Sequence, residues 1–458
     1  MSIVAMQSLR EQIFEWQRQP RAQALVHELA TEFCAKLTAA RQLRERMLGE
    51  TGTRFVDWID FVGPLREELD HGALVGAGFR LTNESGVPIA EHPGGMFPRI
   101  RLDGHSWSLG LRVDSVADFL AINGISDAHV EGAPHSCLRM ARIAWESDAE
   151  LWIVERHGQL GFTPHDASTA EASAVLHHAE AFRCRPRRFG ADEEGIEHAL
   201  QLINAAIADL GHSRACDLFF AAERAYWESR NRAGRLQKAR QDRLGLGWGN
   251  HDHHTYRSGR EHFADLIRVF EAVGLWCRER FYAGIEAGWG AQILEHPECR
   301  IVVFADVDLS PEEVSNDFAH SGLPPRSSRG TIGLWCQLHG EALLQAGMHH
   351  LEAQFDFRAA RAQLRREGVM TMAPFTDFPH LRQAFTQGEI WPIEPDRLET
   401  ARAADIISDE QAKRFAEQGA LGSHLEILER NEGYKGFNRT GISQIIRRTD
   451  PRGTTVAA

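Results

Sequence analysis

Two pairs of adjacent histidines and one glutamate are the residues best placed to do chemistry together. The pairs are His253–His254 in HDHHTYRS and His349–His350 in GMHHLEAQF, and the acid is Glu426 in GSHLEILER. The chain has 23 histidines, so any one of them alone carries little weight and a hydrogen-bonded core role is its ordinary reading. Placement is what distinguishes these. Side chains alternate across a strand, so His251, His253, Thr255 and Arg257 share one face, and Asp252, His254 and Tyr256 share the other. By the same rule Met348, His350, Glu352 and Gln354 lie together, as do His424, Glu426, Leu428 and Arg430. Two imidazoles and one carboxylate from three separate strands can occupy one face of an octahedral ion, leaving three positions for substrate and oxygen. Such a set suits Fe(II), Mn(II) or Zn(II), and no thiolate is positioned to select copper. The expected ligands are His253, His350 and Glu426.

The elements that must carry these residues read as repeated units. From Ser108, SLGLRV is strand-like, DSVADFLAINGI is a short helix, and AHVEG, CLRMARIAW and ELWIVERH are further strands. The order returns with HDHHTYRS, the helix REHFADLIRVFEAVG, and the strands LWCRERFYA, GWGAQILEH and CRIVVFADVDL. It returns once more with MHHLEAQF, DFRAARAQLRREG and SHLEILER. Within these units VERHGQLGF at 154–162 echoes LERNEGYKGF at 428–437. The expected fold class is α+β, with paired βαβββ modules forming a half-open barrel and additional N-terminal and central helices. Four regions are expected: a helical region over 1–100, a non-catalytic βαβββ module over 101–169, a helical segment over 170–243, and a catalytic metal-binding domain over 244–450. A sheet-forming unit must bury its apolar face against a partner, and a paired cup is a natural ligand site.

Bulk properties exclude several classes. At 458 residues the chain exceeds one compact core. A net charge of -13 opposes general nucleic-acid binding, and the local RCRPRR cluster at 183–188 reads as a solvated turn. No apolar run reaches the ~18 residues needed to span a bilayer, and MSIVAMQSLREQIFEWQRQPR reads as an amphipathic helix rather than a signal peptide. The seven cysteines are scattered without a CxxC pair, which fits a reducing, cytoplasmic setting. A homo-oligomer is compatible with the exposed edges of such sheets.

At the candidate ligands the sequence resembles a known family. GMHHLEAQFDFRAARAQLRREGVMTMAPFTDFPHLRQAF is similar to the opening of the catalytic module of 4-hydroxyphenylpyruvate dioxygenase, and HLEILERNEGYKGFNRTGISQII to its end. That resemblance implies a metal role for Glu426 and His350, and places the family's Gly-Phe at Gly436–Phe437 before a terminal helix. HHTYRSGREHFADLIRVFEAVG is similar to the 2-oxoadipate dioxygenase/decarboxylases, in which a metal histidine precedes by four residues an arginine that receives a substrate carboxylate. His253 and Arg257 match that spacing, which favours His253 over His254. Both belong to the vicinal-oxygen-chelate superfamily. The likeness covers roughly residues 248–450, is loose around DLSPEEVSNDFAHSGLPPRSSRG, and gives no histidine to the SLGLRV unit, which is expected to be metal-free.

The resemblance implies an Fe(II)-dependent dioxygenase that acts with O2 on a small carboxylate, a 2-oxo acid that chelates the metal and is decarboxylated. Arg257, about 13 Å along its strand from His253, either clamps a second carboxylate or pairs with a barrel acid such as Glu352. Phe437 and Phe385 are candidate apolar walls, Tyr434 and Lys435 a candidate lid, and Gln292 a candidate amide donor to substrate. An extradiol ring-cleaving dioxygenase needs the same triad and an acid-base group, for which His424, Tyr256 and His254 are available. The same fold would also serve a metal-free binding protein, or an oxygen-independent glyoxalase-like enzyme using Zn(II) or Ni(II).

Overall fold

Four copies of one βαβββ unit account for nearly all of the strands. The structure is a computed structural model that describes residues 16–326, 328–438 and 450–452. The N-terminal amphipathic helix and the helix expected after Phe437 lie largely outside those residues. Helices α1 (Pro20–Lys36) and α2 (Thr38–Arg46) lead into the first unit: β1 (Ile59–Gly63), α3 (His71–Gly76), β2 (Arg80–Glu84), β3 (Val87–Glu91) and β4 (Arg99–Arg101). The second is β5 (Trp107–Val113), α4 (Val116–Ile122), β6 (Val130–Glu131), β7 (Leu138–Glu146) and β8 (Ala149–Arg156). Three helices follow, α5 (Thr169–Arg183), α6 (Asp192–Ser229) and α7 (Arg232–Asp242).

The third unit is β9 (His251–Arg257), α8 (Phe263–Ala272), β10 (Trp276–Tyr282), β11 (Trp289–Glu295) and β12 (Val302–Asp308). After α9 (Pro311–Val314) and α10 (Thr331–His339), the fourth begins with β13 (His350–Gln354), α11 (Phe357–Arg366), β14 (Thr376–Phe378) and β15 (Leu381–Phe385). It is interrupted by β16 (Ile390–Trp391), α12 (Pro395–Ala403), α13 (Asp409–Gln418) and β17 (Ala420–Leu421), and closes with β18 (His424–Arg430).

The units pair two by two, as the alternating pattern predicts. One eight-stranded sheet runs β2-β3-β4-β1-β5-β8-β7-β6 and the other β10-β11-β12-β9-β13-β18-β15-β14. Neither closes. In each, the first strands of two units lie side by side and antiparallel, β1 on β5 and β9 on β13. Strands β9, β12 and β18 are buried almost throughout, because one face of the sheet lines the cup and the other is covered by helices. Phe263, Leu266, Ile267, Val269 and Phe270 of α8 supply part of that cover.

Two sequence expectations change. Residues 59–101 belong to a βαβββ unit, whereas the sequence pattern read 1–100 as helical. The strands there are only three to five residues long and α3 only six, too short for either period to register. The RCRPRR segment is also not simply a solvated turn. Arg185 and Arg187 both pair with the buried Glu223 of α6, at 2.9 and 2.5 Å, while Arg183 stays exposed on Glu180. Burying a carboxylate requires such partners, and Glu223 also accepts from Tyr256 Oη at 3.3 Å, tying α6 to the outer face of β9.

Candidate metal centre

The three expected ligands meet. Across β9–β13, His253 stands opposite Glu352, and across β13–β18, Glu352 stands beside Glu426, with His350 two residues earlier on the same face. One ligand atom from each of His253, His350 and Glu426 lies within 4.8 Å of the others, and all three residues are buried. His350 Nε2 is 3.1 Å from Glu426 Oε2. Neighbouring donors on an octahedral ion with bonds of about 2.1 Å lie about 3.0 Å apart, so this pair is already set for a shared ion.

Each ligand is oriented from behind. His253 Nδ1 contacts Asp252 Oδ1 at 3.1 Å and the Glu352 carboxylate, which leaves Nε2 to bind. Asp252 is in turn gripped by Arg430, whose Nε and Nη2 donate to its two oxygens at 3.0 and 2.9 Å. His350 Nδ1 meets His349 Nδ1 at 2.9 Å, again leaving Nε2 on the Glu426 side. Gln383 Nε2 donates to Glu426 Oε1 and to Glu352 Oε1, at 3.0 Å each, and fixes both carboxylates. Supporting bonds of this kind set ring tautomer and ligand direction in metal sites.

The charges suit a cation. Burial holds the His350 imidazole down at about 3 and also lowers His253, against the pull of Asp252, so both rings are neutral and able to ligate. Burial raises the Glu426 carboxyl above its usual range, with His253 opposing, and raises Glu352 further, because the Glu426 charge adds to burial. The Glu352 carboxylate is shared between His253 and Gln383. Two carboxylates crowded at one buried place are what a divalent ion relieves. The donor set therefore fits a hard or borderline divalent metal such as Fe(II).

A cavity of about 90 Å³ opens over the triad. One water needs roughly 10–15 Å³ on this measure, so the space suits a small organic molecule. Phe281, Trp289, Phe304, Phe375, Phe385 and Phe437 give it aromatic walls. Phe437 stands edge-on to His253, with ring centroids 5.5 Å apart, and Phe385 lies 5.1 Å from His350. An arginine and an acid face the same space. Arg257 is 5% exposed, and its Nε and Nη1 have no hydrogen-bond partner. Asp306, beside it in the β9–β12 register, leaves Oδ1 unpartnered, and burial pushes its carboxyl up to about 8 although Arg257 pulls the other way.

Of the other expected site residues, Phe437 and Arg257 line the cavity and Gln292 does not. The β11 pleat turns Gln292 away from the side shared by Trp289, Ala291 and Ile293, and its amide is used by the backbone oxygens of Glu279 and Ile293. Arg257 forms no ion pair with Glu352, which belongs to the His253 side. His254 and Tyr256 face α6, where Phe220 packs on the His254 ring at 5.1 Å, so neither reaches the cup. His424 is buried against Phe385, with Nδ1 on the Thr386 oxygen at 2.9 Å, and does not line the cavity. Lys435 is tied to Glu295 at 2.9 Å. The sequence reading missed Asp306 and Gln383. The signal for Asp306 was an acid inside the apolar run IVVFADVDL.

The first sheet carries the same scaffold without the donors. Phe61 pairs with Gly110 and Gly110 with Trp152, in the register that joins His253, Glu352 and Glu426. Ser108 takes the place of His350. Phe61, Ser108 and Trp152 offer neither imidazole nor carboxylate, and Ile89, Leu138, Met140, Val154 and Phe162 fill the space with apolar side chains. The brace nevertheless persists: Arg156 grips Asp60 at 2.7 and 2.8 Å, as Arg430 grips Asp252.

No family model and no curated protein sequence matches this chain. Solved structures do match. A putative hydrolase from Shewanella frigidimarina is 15% identical, with a TM-score of 0.31, covering 46% of this chain and 91% of its own. 4-Hydroxymandelate synthase from Streptomyces coelicolor, as a triple mutant, is 12% identical with a TM-score of 0.25, covering 86% and 98%. Methylmalonyl-CoA epimerase from Mycobacterium tuberculosis is 13% identical with a TM-score of 0.23, covering 40% and 89%. The assignment of paired βαβββ modules of the vicinal-oxygen-chelate type rests on the strand order and register of this chain, not on those scores.

Proposed function

We propose that this protein is a non-haem iron(II) dioxygenase that uses O2 to decarboxylate and oxidise a small 2-oxo acid. One observation carries the reading: a buried guanidinium without an ion pair, Arg257, shares an aromatic-walled cavity with two neutral imidazoles and a carboxylate. When bound, iron(II) would supply the electron transfer that lets oxygen react with an organic acid, which protein side chains alone do not.

The residues divide the remaining work. His253, His350 and Glu426 would hold the ion, giving a site of net charge +1 that attracts an anionic chelator. Arg257 would receive a carboxylate of the substrate through its planar fork. Asp306, with its carboxyl at about 8, keeps its proton near neutral pH, so it can donate to substrate oxygen instead of repelling an anion. Phe304, Phe385 and Phe437 exclude water from the reacting centre. The test is anaerobic purification with metal analysis, followed by oxygen uptake and carbon dioxide release across a panel of 2-oxo acids. Stoichiometric iron with matched oxygen uptake and carbon dioxide release is the expected result. Unchanged turnover in His350→Ala, or turnover without oxygen, would remove the reading.

A further inference from the structure

A second and larger space lies between the two sheets. It is about 390 Å³ and is lined from both halves, including the Asp60–Arg156 and Asp252–Arg430 pairs. None of His253, His350 and Glu426 faces it, and a single residue, Phe437, lines both spaces.

Its charges do not balance locally. Arg156 and Arg430 are neutralised by Asp60 and Asp252, and Arg278 and Lys435 are held by Glu279 and Glu295. Three other guanidiniums remain: Arg99, Arg112 and Arg300. Arg99 is 2% exposed; its Nη1 donates to the Leu160 oxygen, but Nε and Nη2 have no hydrogen-bond partner. Its nearest carboxylate oxygen, Asp60 Oδ1, is 3.5 Å away and already accepts from Arg156. The side chains of Arg112 and Arg300 make no hydrogen bond or ion pair with any described residue. Glu91 and Glu298 also line the cleft and form no ion pair with a described residue, so the three guanidiniums exceed these acids by one charge. In a chain whose net charge is -13, two arginines without an ion pair and a third that shares its only carboxylate gather around this one cleft.

Arg99 is buried, Arg112 half-buried and Arg300 exposed at the rim, and guanidiniums grouped around a cleft in this way suit an oxyanion that takes several planar N–H forks at once. The geometry points to a second ligand site, in which Arg99, Arg112 and Arg300 bind a small polyanion bearing carboxylate or phosphate groups, separate from the metal cavity. The site draws on both halves of the chain: Arg99 and Arg112 come from the first sheet, and Arg300 from the β11–β12 turn of the second. Its occupant would bridge the sheets. Arg300 adopts φ of 55°, a conformation uncommon for residues other than glycine, at the tip of that turn.

Calorimetric titration of the metal-loaded protein with tricarballylate and, separately, with inorganic phosphate tests this directly and tells a carboxylate ligand from a phosphate one. One saturable site is expected for at least one of them. Affinity should fall about tenfold or more per guanidinium removed in Arg112→Gln and Arg300→Gln, and should be retained in Arg257→Gln. Neither substituted side chain is hydrogen-bonded, so both variants should keep the parent melting temperature, and binding is compared at matched fold. Absence of saturable binding by both anions, or equal affinity in the Arg112→Gln/Arg300→Gln double variant, overturns the proposal. Loss of binding in Arg257→Gln alone does so too, since it would assign the anion to the metal cavity.

Discussion

Phe61 stands in the first sheet at the register position that His253 holds in the second. The two rings even keep the same neighbour geometry: Phe61 meets Phe162 at 5.6 Å and 87°, and His253 meets Phe437 at 5.5 Å and 87°. Gly110, opposite Phe61, is required there, because a Cβ would run into the Phe61 ring; its counterpart is Glu352. One scaffold thus serves as core in one half and as a donor site in the other. Phe61→Ala should cost about 3–5 kcal/mol of stability, as large core truncations do, and leave metal content unchanged. His253→Ala should do the reverse, losing metal with little loss of stability in the metal-free protein. Denaturant titration and metal analysis of the two variants check the contrast.

Removing the brace should act on both stability and metal. Arg430→Met leaves Asp252 buried without its partner, and breaking a buried pair in this way costs about 3–5 kcal/mol. Burial alone would raise the Asp252 carboxyl, but Arg430 and His253 hold it well below the usual range. Its contribution is therefore present above the ordinary carboxylate pKa and is lost as pH falls below it. Metal affinity should fall about 10–100-fold through His253, since Asp252 orients that ring. Urea unfolding and competitive chelator titration measure the two effects.

The Asp306 carboxyl gives the opposite pH signature. Its folded-state pKa of about 8 lies above its ordinary value of 3.8, so the folded protein keeps a proton that the unfolded chain has released. Stability of the metal-free protein should decline as pH rises from about 4 to about 8, by an amount on the order of a few kcal/mol from this group. Asp306→Asn should flatten that decline and melt higher than the parent at pH 8, with little difference at pH 4. Identical pH profiles for the two proteins would assign the decline elsewhere.

Arg257→Gln separates recognition from metal binding. With its guanidinium buried and two nitrogens unpartnered, the substitution should retain metal and should not lower the melting temperature. The value of kcat/KM for a 2-oxo acid should drop about 10²-fold or more, as the loss of a charged hydrogen-bonding partner implies. Steady-state oxygen uptake on the metal-loaded variant gives the answer.

Much of this site was legible in the residues. Strand alternation put His253 and Arg257 on one face and His254 and Tyr256 on the other, and the sheet keeps that division. A register shift opposite Glu352 and Ala353 breaks the expected alternation before His253: His251 packs on the His254 ring at 5.3 Å and Asp252 turns to His253 and Arg430. The echo of VERHGQLGF in LERNEGYKGF marked the two arginines and two phenylalanines that the fold uses alike. What the sequence could not assign was partnership across distance. Asp252 meets Arg430 across a separation of 178 residues, and Asp306 reaches the cavity only because β12 pairs with β9 at one register. Gln292 was misplaced for the same reason, since its face depends on how β11 is registered against its neighbours. Local periodicity fixes which side chains travel together, because it follows from backbone geometry. Which groups share a buried space, and so which N–H groups go unpartnered at Arg257 or Arg99, is set only when the sheets come together around them and water is removed.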